Sequence, residues 1–176
     1  MPSTYELIKG ETLTTTAASY TFTAIPSTFT DLALRISARN NVSGSVRTDF
    51  YILPNSETTS STLGSYTALY GIAGTAGSGR SSNTFPFANI FDLNQAGATA
   101  NTFSSVEVYI PSYTASQNKP LSTYGASENN TTNEPLIGLT AQLFRSTSAI
   151  SQLSVVSPSG SFVSGSSFYL YGIKKS

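Results

Sequence analysis

The chain of 176 residues has no histidine, no cysteine, no tryptophan and a single methionine. Without His the commonest general base and pH switch are missing. Without Cys there is no thiol nucleophile, no thiolate metal site and no disulfide, and the redox compartment cannot be read. Charge is also scarce. Nine basic and nine acidic residues make up 10% of the chain and cancel, where ordinary domains carry about a quarter. A net charge of zero supplies no basic field for nucleic acid. No apolar run approaches the ~20 residues of a membrane span. The opening residues Met1 to Glu6 lack the charged and then apolar pattern of a secretory signal, so neither membrane insertion nor leader-driven export is expected.

Ser and Thr fill roughly a third of the chain, together with 10 Tyr and 10 Phe, an unusual balance for a globular domain. The apolar residues recur with period two, the mark of half-buried strands. Phe168 and Leu170 alternate with Tyr169 and Tyr171, Val106, Val108 and Ile110 with Glu107 and Tyr109, and Leu32, Leu34 and Ile36 with Asp31 and Arg35. Tyr66, Ala68, Tyr70 and Ile72 share one face, and Ile137, Leu139, Ala141 and Leu143 read as an inward face. Turn chemistry separates these runs at Asn40 to Gly44, Pro54 to Ser56, Asn129 to Asn133 and Pro158 to Gly160. Gly74 to Asn83 and Gln95 to Asn101 read as loops, and Phe85 to Leu93 as one or two short strands. No segment carries a helical stripe. About ten short strands predict a single all-β domain over residues 1–176, an antiparallel β-sandwich or barrel. Residues 1–15, with Tyr5 and Leu7 at their centre, read as an extended N-terminal arm or an edge strand.

Motifs that carry chemistry are few. The carboxylates are scattered, and Glu107 reads as an outward polar residue on its strand. A glycosidase could still work with two carboxylates, but the sequence cannot pair them. Glu128 through Glu134 has the oxygen-rich look of a calcium loop but reads as a polar turn. Gly74 to Gly79 lacks the Lys-Ser/Thr of a phosphate loop. No cofactor or metal is expected. If the strands flanking Asn40 to Gly44 form a hairpin, Arg35, Arg39 and Arg47 share a face with Asp49 and Tyr51. That arrangement suits either cross-strand ion pairing or docking to an acidic partner. Tyr51, Tyr109, Tyr113 and Tyr124 read as surface tyrosines, favoured at protein interfaces and on sugar-binding platforms.

Three stretches together carry a resemblance. They are Tyr20 to Leu32 (YTFTAIPSTFTDL), Asn101-Thr102-Phe103 with Val106 to Tyr113 (VEVYIPSY), and Phe168 to Ile173 (FYLYGI). In style and spacing, from about Tyr5 to Ile173, the chain resembles small Ser/Thr-rich β-sandwich virion proteins of tailed bacteriophages of aquatic bacteria, of the cyanophage type. The resemblance implies a jelly-roll-like sandwich and a structural, non-enzymatic role in the virion, assembled in the host cytoplasm. The leading expectation is a capsid decoration or cement protein. It would bind copies of itself, as a trimer, and the major capsid protein, using Tyr5, Leu7, Arg35, Arg39, Arg47, Tyr51, Tyr109 and Tyr113. The alternative is a tail or fibre module that binds host surface glycan. The resemblance itself identifies no functional residues, and the interface residues named come from the reading of the strands.

Overall fold

Alternating side chains set the architecture strand by strand. The structure, a computed structural model, describes residues 4–57, 64–84, 93–130 and 134–174. Among them run thirteen strands: β1 (Tyr5–Thr12), β2 (Ser19–Phe22), β3 (Asp31–Ala38), β4 (Arg47–Thr48), β5 (Tyr51–Pro54), β6 (Gly64–Ile72), β7 (Thr75–Thr84), β8 (Leu93–Asn94), β9 (Ser104–Pro111), β10 (Lys119–Ser127), β11 (Leu136–Phe144), β12 (Leu153–Val156) and β13 (Ser167–Ile173). Eight form one antiparallel sheet in the order β1-β13-β3-β9-β10-β11-β6-β7. A second sheet has the order β2-β12-β5, and β4 pairs with β8 in a short ribbon. The expected all-β antiparallel sandwich is present, with layers of unequal size.

The core lies between the two sheets. Leu32, Leu34 and Ile36 of β3, Val106, Val108 and Ile110 of β9, and Phe168 and Leu170 of β13 are all buried. Register places Leu34 between Leu170 and Val108. Phe22 of β2, Ile52 of β5 and Leu153 and Val155 of β12 complete the cluster from the smaller sheet. The layers lock where Tyr20 stacks on Phe168 with ring centroids 5.4 Å apart and Phe162 meets Phe168 edge-on at 5.1 Å. Covering a Leu, Val or Phe side chain contributes about 1.5–3 kcal/mol.

The segment read as an arm or edge strand is the edge strand. β1 runs antiparallel to β13 from Tyr5 opposite Ile173 to Thr12 opposite Ser167, with a bulge between Leu7 and Lys9. Bulges and the charges of Glu6, Lys9 and Glu11 are common ways of blunting a sheet edge.

Three expectations are corrected. Gly74 to Asn83 is no loop: Thr75 to Asn83 lies within β7, which closes a hairpin with β6 through Ala73 (φ 48°) and Gly74 (φ 82°). Two consecutive positive φ angles make the tight turn whose twist suits a hairpin. A strand that reads TAGSGRSSNT has no apolar period to read. The second correction is the phase of β11. Leu136, Gly138, Thr140, Gln142 and Phe144 point inward, and Ile137 and Leu139 are each 52% exposed. The ladders force this phase, because Thr140 lies opposite Thr123 of β10 and Ala68 of β6, both on the inner face. One step of register would invert every side chain of the strand.

The third correction is the hairpin around Asn40 to Gly44. β3 pairs with β13 and β9, while β5 belongs to the smaller sheet. The chain turns away at Asn40, whose buried side chain donates to Ser157 Oγ (2.6 Å) and the Ser159 carbonyl (3.0 Å) and accepts from the Val42 N–H (2.7 Å). Of the other expectations, Phe85 to Asp92 and Thr131 to Asn133 lie outside the described residues, while Leu93 opens β8.

Phe168→Ala should cost about 3–5 kcal/mol, the range for truncating a buried aromatic. Tyr171→Ala, on the opposite face of the same strand, should cost much less. Urea unfolding of both variants checks this. Equal losses would contradict the assignment of faces.

Candidate interaction face

The outer face of the eight-stranded sheet gathers charged, aromatic and apolar side chains of the described residues. Because its pairs are antiparallel and those from β13 to β6 run without a register shift, one row crosses six strands: Tyr169, Arg35, Glu107, Tyr124, Leu139 and Leu69. The row changes character along its length. Its β13–β3–β9 part is polar and aromatic, and its β10–β11–β6 part is apolar.

In the polar part, Arg35 Nε donates to Glu107 Oε2 at 3.0 Å. The Arg35 guanidinium also lies 5.7 Å from the Tyr171 ring centroid, within cation–π range. The Tyr169 ring lies across Gly10. A methyl group there would come within 2.3 Å of its Cδ1, so glycine is what admits the ring. The Tyr169 hydroxyl shares a hydrogen bond of 3.2 Å with Thr12 Oγ1. Arg35, Glu107, Tyr124 and Tyr169 line a groove of about 330 Å³ with Ser37, Ser105 and Ser167.

In the apolar part, Tyr124 is 54% exposed and Leu69 62%, beside Ile137 and Leu139. The opposite face of these same strands buries Thr123, Thr140, Gln142 and Ser127. Thr140 Oγ1 and Ser127 Oγ find no hydrogen-bond partner among the described residues. Scattered surface leucines are ordinary, but an adjoining apolar cluster over a polar interior is informative.

The residues singled out from sequence do not converge. Tyr5 and Leu7 are exposed on β1. Arg35 is on the outer face as expected. Arg39 is buried beyond the end of β3, and its guanidinium donates to the carbonyls of Ala98 (3.0 Å), Thr99 (2.8 Å) and Thr102 (3.0 Å). Arg47 donates to Glu134 Oε2 at 3.2 Å in the ribbon region. Tyr51 lies half-buried in the smaller sheet. The hairpin that would gather the three arginines does not form, so no common basic face exists. Tyr109 is half-buried on the outer face, and its hydroxyl donates to Asp31 Oδ2 at 2.8 Å. That bond, and then burial, raise its phenol above the ordinary value of 10.0. Tyr113 is fully buried, with its hydroxyl donated to the Pro26 carbonyl, and desolvation pushes its phenol up. It is a core residue and not a surface tyrosine, because Ser112 (φ 48°) turns the chain inward after β9. Leu69, Ile137, Leu139 and Tyr169 were missed. The LIGL run of β11 places apolar residues in both phases, so periodicity cannot orient it.

Two cations are buried without a carboxylate among the described residues. Arg39 is one. Lys119 is the other, its Nζ donating to the carbonyls of Gln117 (2.5 Å) and Ser146 (3.2 Å). Burial lowers the pKa of both. The acidic segment after β10 is structurally employed. Glu128 Oε1 accepts the N–H groups of Asn129 (3.0 Å) and Asn130 (2.9 Å), and Glu134 pairs with Arg47. Among the described residues no three acidic side chains gather where a metal ion would sit, and no helix is long and apolar enough to cross a membrane. Comparison with protein-family models, curated proteins and solved structures finds no match.

Arg39→Met should cost about 2–3 kcal/mol, because buried carbonyls lose their donors. A melt shifted by less than the scatter of surface variants would refute the clamp. Lys119 gives a pH signature. Its folded pKa lies below the ordinary 10.5. Between the two values the unfolded chain holds the extra proton, so stability rises with pH over that window. Above pH 10.0 the raised phenols of Tyr109 and Tyr113 oppose this, since there the folded state holds more protons. In urea titrations on the alkaline side of neutrality, below pH 10.0, Lys119→Met should flatten the rise.

Proposed function

We propose that this protein is a non-enzymatic structural component of a phage virion: a capsid decoration or cement protein that docks on the assembled shell through the outer face of β10, β11 and β6. One observation carries the docking surface. β11 turns Ile137 and Leu139 to solvent and Thr140 and Gln142 to the interior. A partner that covers β11 recovers the burial these side chains forgo. The virion assignment rests on the resemblance of the sequence. A near-neutral Ser/Thr surface suits close packing against copies of the same chain, since little like-charge repulsion accumulates.

Magnitudes favour an oligomer. Leu69, Tyr124, Ile137 and Leu139 are each about half exposed. Covering them contributes on the order of 1 kcal/mol apiece. A total of about 4 kcal/mol corresponds to a dissociation constant near 1 mM before other costs. A trimer engaging several lattice sites converts that weak contact into firm attachment through effective concentration. Binding the assembled lattice and not its free subunits then stabilises the shell by mass action.

Cosedimentation with shells lacking the protein tests this. Saturable, many-copy binding is expected, with at least a tenfold weakening for Leu139→Asp, about 1.4 kcal/mol. Binding at a few copies on one vertex would instead assign the protein to the tail. No binding by a folded protein would overturn the proposal.

A further inference from the structure

The polar part of the outer face adjoins the docking patch, sharing Tyr124 with it, and has its own chemistry. Tyr169, Arg35, Glu107 and Tyr124 stand on four neighbouring strands, β13, β3, β9 and β10, in one row. At about 4.8 Å per strand the row spans roughly 14 Å. Two residues along, Ser167, Ser37 and Ser105 form a parallel row of hydroxyls. We propose that this groove binds a neutral oligosaccharide lying across the strands.

Each part of the ligand's chemistry has a counterpart. The Tyr124 and Tyr169 rings, one near each end, offer flat apolar surface to the C–H faces of pyranose rings. Tyr169 is pre-positioned by Gly10 and Thr12. Between them, Arg35 uses one of its five guanidinium N–H donors on Glu107. Its other N–H groups and Glu107 Oε1 have no hydrogen-bond partner among the described residues. They form a donor–acceptor pair suited to adjacent hydroxyls. The serine row adds groups that both donate and accept. Because Arg35 and Glu107 neutralise each other, a polyanion gains little at this groove, which argues for an uncharged sugar. The volume of about 330 Å³ lies at the lower end for ligand sites. These side chains stand on paired strands, so little ordering is required when the ligand binds.

Isothermal titration of the purified protein with maltohexaose, cellohexaose and chitohexaose, and with a sulfated dextran oligosaccharide as the anionic control, tests the proposal. At least one neutral hexasaccharide should bind with a dissociation constant of about 1 mM or below. Its affinity should change little with salt, because no counterions are released. Tyr124→Ala and Glu107→Gln should each weaken it about tenfold, while Leu69→Ser should leave it unchanged. Matching circular dichroism and melting curves exclude misfolding as the cause. The proposal is overturned if no neutral hexasaccharide binds at that level. It is equally overturned if only the sulfated control binds, or if both groove variants bind like the parent. Glu107→Gln leaves the apolar docking patch intact, and Leu139→Asp leaves Arg35, Glu107 and Tyr169 intact. Failure of this reading and failure of shell docking are therefore separable.

Discussion

Register across the eight-stranded sheet is the constraint on which the rest of this structure depends. Side chains alternate with period two, so one alignment decides which face every residue of every strand occupies. The inner row begins with Leu170, Leu34 and Val108 and continues through Thr123, Thr140 and Ala68. Its first members are large and apolar and hold the core. Its later members follow because the ladder leaves them no other phase. The outer row has the same origin. Tyr169, Arg35, Glu107, Tyr124, Leu139 and Leu69 come together because the core aligned the residues beside them.

That alignment carries a cost at one side of the sheet and a surface in return. Buried Thr140 and Ser127 lack partners among the described residues, and Ile137 and Leu139 face water. A buried polar atom left unpaired costs about 1–3 kcal/mol; a covering partner would not pair Thr140, but it would take Ile137 and Leu139 out of water. At the ends of β3 and β10, Arg39 and Lys119 take the opposite role. Each is a buried cation held by backbone carbonyls, fastening a loop to the end of a strand. The proposed docking and glycan surfaces thus both lie on the outer face, while the buried cations serve the fold.

Reading by alternation succeeded wherever one phase of a strand was clearly apolar. β3, β9 and β13 were oriented correctly because Ile36, Val108 and Phe168 have polar or amphipathic neighbours on both sides. It failed for β7, where Gly77, Ser78 and Gly79 give neither phase an apolar member. It failed for β11, where Leu136 and Ile137 stand in opposite phases. The arginine face failed for a different reason. It assumed that β3 pairs with the next strand in sequence, whereas β3 pairs with β9 and β13, far along the chain.

Composition and local period were sufficient to establish an all-β fold, sandwich or barrel, built without disulfides, with Glu107 and Tyr169 pointing away from its core. These properties depend on a residue and its immediate neighbours, and a linear sequence contains that information. The burial of Arg39 and Tyr113, the edge position of β1, the outward turn of Ile137 and Leu139, and the row joining Tyr169 to Leu69 depend on which distant strands pair and in what register. Free energy summed over the whole sheet selects that pairing, and no local stretch of the chain encodes it.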